Sequence, residues 1–369
     1  MPNKELLTNS RASAFRECPR KHFYLYEAGI RTIKTTAPLR FGSQFHEGKY
    51  IYNMTRDLEE AIRVAIEPYM FYPPWIQSNE DKRAFNDERV ILAELLAANI
   101  LYWEDRDPIS ILHAEEKFEV PIFNPTTGRK SRIFVAAGKR DSIGVWRNLK
   151  VLVEYKTTSS EIGPDSPYWQ RLMIDSQVSH YFLSAEIEKL GLDTVLYDVT
   201  MKPKSNLAHS LDIPELDYKG RKILVWKGTE DRVYNQDGET PAQRAPRGKA
   251  DQVELVTRPE KAVEFAQRLR DDIDERPEYY FQRREIARTE FDIREYQQEL
   301  WQIARAIRSA QKEGAWYKNG NICFRWHKTR PCPYWDACTT GMKLEEMSDS
   351  ELASFGFERI QNVHPELAE

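Results

Sequence analysis

The spacing of apolar residues changes character along the chain. "LTNSRASAFRECPRKHFYLYEAGI" reads as a helix opened by Ser10 as N-cap and broken near Pro19. "LRFGSQFHEGKYIYNMTRDLEEAIRVAI" reads as a continuing helix after Gly42. "AFNDERVILAELLAANILYWEDR" repeats apolar positions at Ile91, Leu92, Leu95, Leu96 and Ile100, one face of a helix, and "YPPW" at 72–75 separates the two. From about residue 110 the period shortens to two. "ILHAEEKFEVPIF", "RIFVAAGKRDSIGVW" and "VLVEYKT" read as strands, with the turn-like "RNLK" between the last two. An amphipathic helix, "PYWQRLMIDSQVSHYFLSAEIEKLG", and a further strand, "TVLYDVTMKP", follow. Three strands, a helix and a strand in this order predict a mixed sheet with a crossover helix.

Beyond residue 204 the pattern weakens. "KILVWKG" reads as a strand and "TEDRVYNQDGETPAQRAPRGKADQ" as a mobile loop. Helices resume in "RPEKAVEFAQRLRDDIDER" and in "TEFDIREYQQELWQIARAIRSAQK", which places Ile293, Tyr296, Leu300, Ile303 and Ile307 on one face. Thr289 with Asp292 resembles a capping box. The organisation expected is one domain over 1–369. It holds a helical insertion at 50–110, a sheet-and-helix core at 111–203, a strand plus mobile loop at 204–256, and C-terminal helices at 257–340.

Composition bounds the rest. The chain has 369 residues, 41% of them hydrophobic and 30% charged, with a net charge of −4. That suits a soluble protein with a real core, and does not by itself advertise a nucleic-acid partner. The polar start "MPNKELLTNS" is unlike a signal peptide, and no apolar run nears the roughly 18 residues of a membrane span. A cytoplasmic location without a membrane partner is expected. The four cysteines then need an explanation other than disulfides.

The strand "VLVEYKT" carries the candidate chemistry. Side chains alternate faces, so Glu154 and Lys156 point the same way on either side of Tyr155. The tripeptide alone also reads as a surface ion pair of little worth. The hairpin through "RNLK" adds Asp141. A loop at 147–148 sets Asp141 opposite Glu154, and a loop at 148–149 sets it opposite Lys156. Both keep the three on one face, whereas a three-residue loop would not. Two adjacent carboxylates repel unless one is protonated or a cation joins them. Asp141 and Glu154, with the Tyr155 carbonyl and water, suit Mg²⁺ or Mn²⁺. Lys156 would then orient water or stabilise charge on phosphorus, which is metal-dependent phosphodiester hydrolysis.

With these residues the sequence resembles the PD-(D/E)XK nuclease superfamily, in particular its RecB-type exonuclease branch. Asp141 in "GKRD" and Glu154 with Lys156 in "EYK" match its acidic and lysine positions. His46 in "FGSQFHEG" matches its early histidine, and Gln177 with Tyr181 in "QVSHY" its later helix motif. Arg140 stands where many members have proline. The resemblance implies a restriction-endonuclease-like α/β core, a mixed central sheet flanked by helices, here with a helical insertion and a helical C-terminal region. It implies metal ligation by His46, Asp141 and Glu154, catalysis by Lys156, and substrate contact by Gln177 and Tyr181. It also implies a DNA substrate, single-stranded or end-containing, with a helicase or recombination protein as a possible partner. No phosphate-binding Gly-x-x-x-x-Gly-Lys-Ser/Thr segment occurs, so no motor is expected within the chain.

Cys18, Cys323, Cys332 and Cys338 suit one [4Fe–4S] cluster or one Zn²⁺. The resemblance extends to cysteine-clasped members, the CRISPR-associated iron–sulfur exonucleases and AddB-type nuclease domains, and so favours the cluster. Two basic groups offer single-strand contacts: Arg11, Arg16, Arg20 and Lys21, and Arg283, Arg284 and Arg288 beside Tyr279, Tyr280 and Phe281. Both also read as solvated helix faces. Two other functions remain open at this point, a catalytically silent DNA-binding or assembly protein and a zinc-stabilised RNA-processing enzyme.

Overall fold

One long strand organises the sheet. The structure, a computed structural model, describes residues 4–204, 208–323 and 331–367. Strands β1 (Glu5–Thr8), β2 (Ser110–Phe123), β3 (Lys130–Trp146), β4 (Leu149–Thr158), β5 (Thr194–Met201) and β6 (Phe281–Ile286) form a six-stranded mixed sheet. β2 pairs antiparallel with β3 along one edge. The other edge of β3 serves two partners, β1 in parallel over Phe134–Ala137 and β4 antiparallel over Ser142–Trp146. Residues 138–141 lie between them, on the stretch where the ladder changes partner. β4 and β5 run parallel, and β6 closes the sheet antiparallel to β5. Both faces of β5 are buried, as helices on either side of a parallel pair require. The architecture is the mixed α/β sheet flanked by helices that the sequence predicts.

Among the described residues the seven longest helices are α1 (Asn9–Glu17), α2 (Ala37–Thr55), α3 (Leu58–Ile66), α4 (Asn79–Arg106), α5 (Ser176–Glu188), α6 (Ala262–Glu275) and α7 (Glu290–Glu313). α7 opens with both hydrogen bonds of the Thr289–Asp292 capping box, and buries Tyr296, Leu300, Ile303 and Ile307 against the sheet core. α2, α3 and α4 form a second apolar cluster with α6 and Phe281, built on Phe41, Phe45, Leu92, Leu95 and Leu96.

Several boundaries differ from the periodicity. Thr8, not Ser10, caps α1, its hydroxyl accepting from the Arg11 N–H at 3.1 Å. The run from Leu39 to Ile66 is two helices: Arg56 turns left-handed at φ 58°, and Asp57 caps α3. The run over 167–191 also splits, into a short helix at Pro167–Leu172 and α5, capped by Asp175. The turn-rich stretch after residue 208 pairs Leu224–Trp226 with Val253–Leu255 around a small cluster of Val233, Ala242 and Val253.

Two cations expected at a DNA surface are structural. Arg11 is 3% exposed and holds Glu5 and Glu27 at 2.8 Å each. Arg283 lies in β6 and reaches Asp198 at 2.9 Å. A buried guanidinium paired in this way has no reach toward a phosphate backbone.

Candidate active site

The turn between β3 and β4 fixes the register. Arg147 and Asn148 have φ of 48° and 66°, the left-handed pair of a two-residue hairpin loop, and Trp146 pairs with Leu149. Continued along the ladder, this sets Asp141 beside Glu154, the first of the two registers considered. Asp141 Oδ2 accepts the Tyr155 N–H at 3.0 Å, so the acid grips the next strand's backbone. Gly138, three residues before it, has no room for a side chain: a Cβ would stand 2.5 Å from the Phe118 ring.

Two helices complete the cluster. α2 brings His46, whose Nδ1 lies 3.2 Å from Asp141 Oδ2. α5 brings Gln177 and Tyr181. The Lys156 ammonium bonds Glu154 Oε1 and donates to Gln177 Oε1 at 3.0 Å. Gln177 Nε2 donates to Glu154 Oε1 at 2.8 Å and to the Tyr181 hydroxyl at 2.7 Å. Gln177 is placed by the α5 cap, where Asp175 accepts its N–H at 2.7 Å. Arg288 secures the preceding turn, donating to the carbonyls of Leu172 at 2.9 Å and Asp175 at 3.0 Å, and to the Ser179 hydroxyl at 3.0 Å.

The electrostatics separate the two acids. Burial, then the Asp141 charge, pushes the Glu154 carboxyl up. Burial also opposes ionisation of Asp141, but His46, Lys156 and the Tyr155 N–H outweigh it and hold that carboxyl below its usual value. Burial disfavours charge on Lys156, yet Glu154 and Asp141 hold the ammonium above its usual range. For His46, burial is likewise overcome by Asp141, and the imidazole shifts upward. Asp141 is thus the settled anion, and Glu154 the carboxyl that protonates first.

His46, Asp141, Glu154, Lys156, Gln177 and Tyr181 line one cleft. Its two lobes, about 220 and 470 Å³, share His46, Lys139, Asp141, Lys156 and Glu366. The Tyr155 side chain faces the other side of the sheet, where its hydroxyl meets Asn53 at 3.1 Å, so only its backbone belongs to the site. Sequence reasoning missed Thr8, Lys139 and Glu366. Lys139 neighbours Asp141 within "GKRD", which was a usable signal. Glu366 reaches the cleft by a tertiary contact, accepting from the Thr8 hydroxyl at 2.7 Å, and carries no local motif.

The donor set fits a hard divalent cation. Two carboxylates and an imidazole line one cleft, and Glu154 Oε2 is buried without a hydrogen-bond partner. As placed, their side chains are drawn toward Lys156 and one another; among the described residues no three His, Cys, Asp or Glu side chains stand around a common ion position.

The cysteines come from both ends of the chain, and among the described residues no three of them stand around a common ion position. All four are free thiols, and the Cys332 N–H donates to the Cys323 carbonyl at 2.8 Å. Burial pushes the thiols of Cys323, Cys332 and Cys338 up, and neighbouring cysteines, Cys18 among them, add to the shift. Cys332 and Cys338 pack on a cluster of Tyr24, Ile30, Tyr334 and Leu344 that joins the two ends of the chain. Residues 324–330, between Cys323 and Cys332, lie outside the described residues.

The sequence matches the family model of the PD-(D/E)XK nuclease superfamily over residues 7–339. No curated protein matches it. Among solved structures, the crystal structure of SSO0001 is similar at 10% identity, with 75% of this chain and 79% of that one covered and a TM-score of 0.22, too loose a likeness to carry an argument. No helix among the described residues is long and apolar enough to cross a membrane.

Proposed function

This chain belongs to the PD-(D/E)XK nuclease superfamily, and from that premise we propose a metal-dependent deoxyribonuclease of the RecB-type exonuclease branch, acting on DNA ends or single strands in DNA processing, repair or recombination. The observation that carries the proposal is the Lys156 ammonium, held between Glu154 and Gln177 beside the Asp141–His46 pair.

Asp141, Glu154 and His46 would hold Mg²⁺ or Mn²⁺, with the Tyr155 carbonyl as a further oxygen. Bound there, the ion supplies charge against the scissile phosphate and acidifies water. Lys156 has three N–H donors, of which Glu154 and Gln177 take two. The third is left for the cleft, where it meets negative charge growing on the phosphate. Gln177 fixes the ammonium's direction, and Tyr181 fixes Gln177. Lys139 lines both lobes, where it is ion-paired with Glu115 of the larger one.

For Cys18, Cys323, Cys332 and Cys338 we propose a clasp around [4Fe–4S], with Zn²⁺ as the alternative. Free thiols from both chain ends support it, with the Cys332 N–H bonded to the Cys323 carbonyl and Cys332 and Cys338 packed on the cluster that joins those ends. Its role is structural: it would tie α1 to the C-terminal segment and so steady β1 against β3.

Degradation of end-labelled single- and double-stranded DNA, with RNA as a third arm, tests the activity in Mg²⁺ and Mn²⁺. Wild type should cleave DNA and Lys156→Ala should do so about 10²–10³-fold more slowly. Unchanged activity in Lys156→Ala sinks the mechanism. Iron and sulfide analysis of anaerobically purified protein decides the clasp, and equimolar zinc without sulfide would replace the cluster.

A further inference from the structure

A second cavity lies behind the catalytic strand, and the nuclease chemistry does not use it. It measures about 270 Å³, and its lining includes Lys49, Asn53, Arg56, Trp103, Tyr155 and Arg283. Tyr155 relates it to the cleft. Glu154 and Lys156 face the cleft, so strand alternation turns the Tyr155 side chain to the opposite side.

Charge in this wall does not balance. Lys49 and Arg283 have side chains only 6% and 7% exposed, and they share one carboxylate, Asp198, at 3.9 and 2.9 Å. The acid in the lining, Glu104, is taken by Arg56 at 3.2 Å. Three cations therefore meet two carboxylates: Arg56 and Glu104 balance at the half-exposed mouth, and the excess positive charge falls on the buried pair Lys49 and Arg283. A buried charge without a counterion is costly, and an anion entering the cavity removes that cost.

Donors also outnumber acceptors. Of the three Lys49 N–H groups, Asn99 Oδ1 takes one at 2.8 Å, and the ammonium nitrogen lies over the Tyr155 ring, 4.7 Å from its centroid. The Arg56 guanidinium bonds Glu104 through a single nitrogen. The Trp103 indole N–H is buried without an acceptor. A tetrahedral oxyanion brings several acceptors and a negative charge, and both are what this wall lacks.

We propose that this cavity binds a phosphate-class anion, either inorganic phosphate or the phosphate of a nucleotide, at a site separate from the catalytic cleft. Occupancy bears on catalysis through two shared parts. Asn53 Nδ2 donates to the Tyr155 hydroxyl and to Ser142 Oγ, both at 3.1 Å, while the Tyr155 backbone N–H holds Asp141. Helix α2 carries His46 to the cleft and Lys49 and Asn53 to the cavity, and Arg56 is its C-terminal cap. The site does not depend on the nuclease reading, because binding is measured without turnover.

Calorimetric titration of Lys156→Ala protein, which lacks the cleft's central ammonium, tests the site with inorganic phosphate and with a nucleoside 5′-monophosphate at matched ionic strength. Saturable binding is expected with either probe. Arg56→Gln should weaken it about fivefold and Lys49→Met about tenfold or more. Should Lys49→Met fail to fold, Ser110→Asp, on the exposed rim, adds an opposing charge and should weaken binding as Arg56→Gln does. A nucleotide preference would place a base against the aromatic wall and equal affinities would leave the phosphate alone; both support the site. No saturable binding up to about 10 mM, or affinity unmoved by Arg56→Gln and Ser110→Asp, overturns it.

Discussion

Gln177→Leu and Lys156→Ala, made singly and together, ask whether Gln177 acts through the lysine or directly on the substrate. Gln177 is tied to Lys156 at 3.0 Å, Glu154 at 2.8 Å and Tyr181 at 2.7 Å. Leucine keeps the volume and the helix propensity, so α5 should stand. Removing Lys156 deletes one charged donor at the point of developing charge, about 10²–10³-fold in rate or ~3–4 kcal/mol. Removing Gln177 leaves the ammonium tethered by Glu154 alone. A retained but misdirected group loses about 10–10²-fold, or ~1.4–2.8 kcal/mol. If Gln177 acts only through Lys156, the double variant falls no further than Lys156→Ala. The coupling energy then equals the whole Gln177 effect, ~1.4–2.8 kcal/mol. The assay is single-turnover cleavage of 5′-labelled single-stranded DNA at saturating Mn²⁺, with circular dichroism as the control on folding. Losses that multiply, about 10³–10⁵-fold in the double variant, would refute the reasoning and make Gln177 a substrate contact in its own right.

Arg288→Ala removes three hydrogen bonds to the turn before α5 and its first turn, at about 0.5–1.5 kcal/mol each, so urea unfolding should show a loss of ~1.5–4.5 kcal/mol. It should also lower kcat with KM nearly unchanged; full single-turnover activity in the destabilised protein would show that the Asp175 cap places Gln177 unaided. His46 has a folded-state pKa above its usual value, so the native protein binds more protons than the unfolded chain. Its contribution is fully present below the unfolded pKa and is lost as pH rises through the folded one. In EDTA, wild type should therefore lose more stability than His46→Gln as pH rises above about 6.5, as a series of thermal melts would show. Gly138→Ala forces a methyl against Phe118 and should cost about 1–3 kcal/mol, measured by urea unfolding and partly restored by Phe118→Leu.

The hairpin was readable because alternation and a two-residue turn are local facts. "RNLK" offered few loop registers, and those of two residues kept Asp141 with Glu154 and Lys156. The i,i+4 spacing of Gln177 and Tyr181 was equally local. The basic clusters were not readable. Arg11 and Arg283 look like any surface arginine until their acids are placed, and Asp198 is 85 residues from Arg283. β6 was missed because "FQRREI" shows almost no apolar alternation. Its outer residues stay charged, and pairing with β5 rather than apolar pattern makes it a strand. The break at Arg56 was hidden inside an apolar rhythm that runs on past it, although Asp57 was a usable cap signal.

Pairing explains how two buried acids can wait side by side. Each is matched to a cation from its surroundings: Asp141 to His46 of α2, and Glu154 to Lys156, which Gln177 of α5 steadies. Burying a carboxylate costs several kcal/mol, and the partner offsets that only in good geometry. The geometry depends on α2 and α5 docking on opposite sides of the hairpin, so the charge arrangement cannot form before the tertiary fold does. A divalent ion entering between the acids would take over the role of His46 and Lys156 toward them. The imidazole would then be freed to ligate and the ammonium to meet phosphate. Under the proposed mechanism Lys156 would serve in succession as the acids' counterion and as the substrate's, and its sequence position beside Glu154 would let one side chain do both.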